Sequence, residues 1–73
     1  MMNKMIDIVE VEKALEACTG MGAKEARLEY LEARIGEQKN LIRRLYNTEA
    51  DYADIIEAKK TLTKLKQLYR KQM

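Results

Sequence analysis

Phenylalanine, tryptophan, histidine and proline are all missing from this 73-residue chain, and it holds a single cysteine. Without histidine there is no imidazole base, no Ser-His or Cys-His nucleophile pair and no imidazole metal ligand. One cysteine makes neither an internal disulfide nor a thiolate metal site, which points to a reducing, cytoplasmic setting. Long hydrophobic runs are missing as well, and nothing approaches the roughly 18 apolar residues that cross a bilayer. The opening stretch Met1 to Val11 carries Asp7 and Glu10 and lacks a small-residue cleavage site, so it does not read as a secretion signal. The expectation is a soluble, non-enzymatic protein with no cofactor, no metal and no membrane partner.

What is present is charge and a modest aliphatic content. Leu, Ile and Val make up 16 of the 73 residues, enough for one seam of packing. A chain of this length forms one domain, taken as residues 1–73, and buries only roughly 60% of its unfolded surface. The formal net charge of +2 conceals an uneven distribution. Residues 1–58 hold 8 basic and 12 acidic side chains, whereas residues 59–73 hold six basic ones and no acid. Cations complement the dipole at a helix C-terminus. Six of them without an acid also suit phosphates or an acidic partner.

Two breaks divide the chain. Gly20 and Gly22 in Thr19-Gly20-Met21-Gly22 can take positive φ and close a helix. In Asn47-Thr48-Glu49-Ala50-Asp51, Asn47 can end a helix in the left-handed region, and Thr48 with Asp51 forms an acidic capping box. Asp51 with Asp54 offers a second helix start. Between the breaks, Leu28, Leu31, Ile35, Gln38, Ile42 and Leu45 step by 3, 4, 3, 4 and 3. Ile55, Ala58, Leu62, Leu65 and Tyr69 step by 3, 4, 3 and 4. Both are coiled-coil-like seams, and the short connection makes their helices antiparallel neighbours. Ile8, Val11, Leu15 and Cys18 supply a third amphipathic face; Lys13-Ala14-Leu15-Glu16-Ala17 favours helix there over the β-branched start. The fold expected is all-α, with helices over about 4–18, 23–46 and 50–71, the last two forming an antiparallel hairpin, and the chain self-associating as a dimer or higher oligomer, most simply a two-fold dimer through the first two helices. The first helix packs across that hairpin or pairs with a second copy.

Several positions are candidates for function. The basic residues Lys59, Lys66 and Arg70 lie at spacings of seven and four, with Lys60, Lys64 and Lys71 in an adjacent row. Arg43 and Arg44 close the middle helix, with Arg44 projecting from the seam. Tyr46 and Tyr52 flank the hairpin turn and, with Tyr30, fall off the seam; they either stack on a partner or cap the hairpin end. Tyr46, Tyr52, Met21 and Ile56 are candidates for a protein interface. Gln38 occupies a seam position better suited to Leu, so its amide either pairs across the interface or marks where the seam meets water. Gly36, inside the helix, suggests close approach by the first helix or a partner, or is simply tolerated. Cys18 reads as a small buried hydrophobe. Carboxylate pairs such as Glu29/Glu32 and Asp51/Asp54 read as solvated charges, without a pocket to shift them.

Residues 35–71 resemble the WHEP domain, a helix-turn-helix module appended to eukaryotic aminoacyl-tRNA synthetases. The matching residues are Gln38, Ile42-Arg43-Arg44-Leu45, Ala50, Ile55, Ala58 and Leu62-Thr63-Lys64-Leu65-Lys66-Gln67-Leu68-Tyr69. The chain departs from the pattern at Lys39, where the family has glycine, and at Tyr46, where it has lysine. The resemblance implies a helical hairpin that binds tRNA-like RNA or docks on protein, with Arg43, Lys60, Lys66 and Arg70 as contacts. The function expected is thus a non-catalytic RNA-binding or protein-docking accessory. The alternative is a small adaptor or inhibitor of the phage or mobile-element type that blocks a host protein complex, as an oligomer.

Overall fold

The computed structural model describes residues 6–73, which form three α-helices: α1 (Ile8–Ala17), α2 (Ala23–Asn47) and α3 (Tyr52–Gln72). The molecule is elongated, 44 × 22 × 14 Å, because α2 and α3 form an antiparallel hairpin along its length. Helix α1 is short and lies along one flank of the hairpin's open end, packed on α3.

Each boundary has a local cause. The Asp7 carboxylate accepts a hydrogen bond of 2.9 Å from the Val9 N–H and starts α1. The expected start near residue 4 is therefore too early: Ile6 and Asp7 precede the helix, and residues 1–5 lie outside the described region. Cys18 ends α1 in an extended conformation, and Gly20 (φ +87°) and Gly22 (φ +78°) then turn the chain. Both glycines have the positive φ expected, but they reverse the chain after α1 has already closed.

At the second turn the structure corrects two expectations. Asn47 stays helical, and Glu49 takes the left-handed conformation instead, at φ +54°. The Ala50 N–H bonds the Leu45 carbonyl (3.0 Å) and the Glu49 N–H bonds that of Tyr46 (3.3 Å), a Schellman closure. Thr48 closes α2 rather than capping α3, its hydroxyl donating to the Arg44 carbonyl at 2.9 Å. Asp51 is the residue that precedes α3, the second of the two starts read from the sequence.

Two apolar clusters hold the fold. Val11, Leu15, Leu31 and Leu65 join all three helices at the open end, with Tyr30, Ile35, Leu68 and Tyr69 packed against them. Leu41, Leu45, Ile55 and Ala58 fill the turn end. Gln38, 1% exposed, lies in the seam, its Nε2 donating to the Ala58 carbonyl at 2.9 Å. The seam is thus crossed by an amide that pairs with backbone, while Oε1 is buried without a partner. Gly36 is exposed, and a Cβ built there meets nothing within 4 Å, so α1 does not press on it.

The seam itself is turned relative to the expected one. Leu41 and Thr61 are buried, while Ile42 and Leu62 are only half-buried. At about 100° per residue, Leu41 and Thr61 lie on the α1 side of each helix and Ile42 and Leu62 on the other. The buried arc of both long helices has rotated toward the flank that α1 occupies.

Candidate docking surface

The position of α1 gives the hairpin two unlike faces. On the α1 side, a groove of about 250 Å³ runs between α1 and Tyr30, Arg34 and Glu37 of α2. A second, of about 370 Å³, runs between Ile8, Val9 and Glu12 of α1 and Lys64, Leu68 and Lys71 of α3. Both are shallow. Arg34 is fixed here: its guanidinium stacks over Tyr30 at 5.3 Å and bonds Glu37 at 2.5 Å. Tyr30 is accordingly half-buried core, not a free aromatic.

The opposite face is not covered by any of the described residues. Helical geometry places Leu28, Ile35 and Ile42 of α2 along it, with Leu62 and Tyr69 of α3 beside them. All five are half-buried. Basic side chains border this apolar strip: Lys24, Lys39 and Arg43 on α2, and Lys59, Lys66 and Arg70 on α3, all exposed. Glu25 and Glu32 are the acids on the same face, and Glu32 is engaged by the Tyr69 hydroxyl, which donates to its Oε1 at 3.0 Å. That hydrogen bond holds the Tyr69 phenol above its ordinary pKa.

At the turn end, Tyr46 (51% exposed) and Tyr52 (74% exposed) extend the strip. The Lys59 Nζ lies 5.2 Å from the Tyr46 ring centroid. The hydrogen bond to Tyr46 holds the Lys59 ammonium above its ordinary pKa.

The six cations of residues 59–73 are all exposed, but they border different surfaces. Lys59, Lys66 and Arg70 edge the open face, Lys64 and Lys71 line the groove against α1, and Lys60 points to the back of α3. Arg43 joins the open face, whereas Arg44 projects on the α1 side. Ile56 is half-buried and Met21 is fully exposed in the first turn, remote from the tyrosine pair in sequence. The acids Glu29, Asp51 and Asp54 are exposed.

One residue that ties the molecule together was not singled out in the sequence. Arg27 donates from Nε to Gln72 Oε1 and from its terminal nitrogen to the Cys18 carbonyl, each at 2.8 Å. It thereby joins the ends of all three helices and places a cation at the C-terminus of α1. Cys18 is half-buried, its thiol directed to the Ala14 carbonyl.

Among the described residues no helix is long and apolar enough to cross a membrane. No family model, curated protein or solved structure matches this chain.

Proposed function

We propose that the protein is a non-catalytic binding module that docks on an acidic protein through the open face of the α2–α3 hairpin. The observation carrying this reading is the apolar strip of Leu28, Ile35, Ile42, Leu62 and Tyr69 between two basic borders. A dehydrated centre with a charged rim is the anatomy of a protein interface. Net charge supports a partner of opposite sign. Six cations (Lys24, Lys39, Arg43, Lys59, Lys66, Arg70) face two anions (Glu25, Glu32), a net +4. Two copies would repel if they met through this face.

A second reading, RNA binding, draws on Tyr46 and Tyr52, exposed beside Arg43 and Lys59 where bases could stack. It agrees with the WHEP resemblance, three of whose four implied contacts (Arg43, Lys66, Arg70) border the open face. The apolar strip has no use in that reading, which places it second.

Fluorescence anisotropy separates the two. Labelled poly-glutamate and labelled mixed tRNA are titrated with the protein at low and near-physiological salt. The docking reading expects saturable poly-glutamate binding that is lost in Lys59→Glu/Lys66→Glu and retained in Lys64→Glu/Lys71→Glu. Binding of tRNA alone, lost in the first variant, would transfer the function to RNA.

A further inference from the structure

We infer that the partner element accepted by the open face is an acidic amphipathic helix lying lengthwise in the groove between α2 and α3. This rests on the docking reading above and adds the shape of what docks. Leu28, Ile35 and Ile42 repeat every seven residues and so form a continuous row along α2 that drifts by only about 20° per heptad. Leu62 and Tyr69, again seven apart, form a parallel line on α3. Two parallel apolar lines on adjacent helices make a groove that a third helix fills with residues at i, i+3, i+4 and i+7. From Leu28 to Ile42 the line is about 21 Å long, which matches a partner helix of about four turns.

The same groove on the opposite flank is the one α1 occupies, with Val11 and Leu15 reaching Leu31 and Leu65. The hairpin thus accepts a helix on one side within its own chain, and the other side carries an apolar strip that no described residue covers. The charges differ between the two sides. Glu12 of α1 lies in the groove that Lys64 and Lys71 line, an acidic position on a docked helix meeting basic ones on α3. On the open side Lys59, Lys66 and Arg70 border α3, and Lys24, Lys39 and Arg43 border α2. A partner helix with carboxylates along both edges of its apolar stripe satisfies both borders at once.

The test uses the full-length protein and two labelled synthetic peptides of identical composition. One is a 16-residue helix former with Leu at i, i+3, i+4 and i+7 and Glu on both edges of the stripe, about 24 Å long as a helix. The other is a permutation of it that keeps the charge and destroys the stripe. The amphipathic peptide is expected to bind at least about tenfold more tightly than the permuted one. That preference should fall to about twofold or less in Ile42→Ser and in Leu62→Ser, each checked for helicity by circular dichroism, because each loses part of the apolar floor. Both peptides should weaken together in the exposed-residue variant Lys59→Glu/Lys66→Glu. Equal affinity of the two peptides overturns the groove inference while leaving acidic docking in place. Absence of binding to both peptides and to poly-glutamate overturns both. Sedimentation showing a dimer that Ile42→Ser dissociates would give the groove to a second copy, and displacement of the amphipathic peptide by tRNA would give it to RNA; either result also overturns the inference.

Discussion

Among the described residues, Glu49 is the one whose conformation is least suited to its side chain. Its φ of +54° is the left-handed region that the Schellman closure of α2 requires, and a Cβ there costs roughly 1 kcal/mol. Replacement by glycine should stabilise the protein by up to about 1 kcal/mol, raising the thermal midpoint by a few degrees. A lower midpoint would mean that the side chain makes a contribution larger than its strain. Gln38 is a second local compromise. Its Nε2 is bonded, but Oε1 is buried without a partner, and an unsatisfied buried acceptor costs about 1–3 kcal/mol. Gln38→Leu, similar in volume and wholly apolar, is therefore expected to raise stability by about 1 kcal/mol in denaturant titration. Tyr69 gives stability a pH limit. Because its folded pKa lies above the unfolded value near 10, the Tyr69–Glu32 bond contributes fully below about pH 10. The contribution is lost as pH rises through the folded pKa. Thermal melts from pH 8 to 11 should show wild type more stable than Tyr69→Phe at the low end and the difference disappearing at the high end.

At the scale of the elements, periodicity made the hairpin readable and left its rotation hidden. Steps of 3 and 4 place both Leu41 and Ile42 near the seam, and likewise Thr61 and Leu62. A straight helix drifts by about 20° per heptad, so the repeat alone does not decide between neighbours. The position of α1 decides it, and that depends on contacts between Val11, Leu15, Leu31 and Leu65, residues up to 54 apart in sequence. The second turn departs from its local signals for a different reason. Asn47 and Thr48 are strong local signals, but backbone bonds from Ala50 and Glu49 into the last turn of α2 outweigh them. Arg27 carried no sequence signal, because its partners Cys18 and Gln72 come together only in the folded chain. Its removal tests how α1 is held. Arg27→Ala should destabilise the protein by about 1–2 kcal/mol, and hydrogen exchange should quicken more in α1 than in the hairpin. Uniform quickening throughout would show α1 and the hairpin to be a single cooperative unit.

For the whole molecule, the consequence of one short helix on one flank is an asymmetric surface. The basic C-terminal segment and the aromatic pair at the turn were legible as candidates from composition and spacing. Their division between two faces was not, since it depends on which flank α1 covers. Lys64 and Lys71 border α1, whereas Lys59, Lys66 and Arg70 border a half-buried apolar strip that the described chain leaves open. The docking reading follows from that division. Its most direct measurement is a ¹H–¹⁵N spectrum of the labelled protein titrated with poly-glutamate. Shifts are expected to concentrate at Leu28, Ile35, Lys39, Ile42, Arg43, Lys59, Lys66 and Arg70, with α1 and the Lys64/Lys71 edge unchanged. Shifts centred on α1 and the Lys64/Lys71 groove, or none at all at low salt, would contradict it.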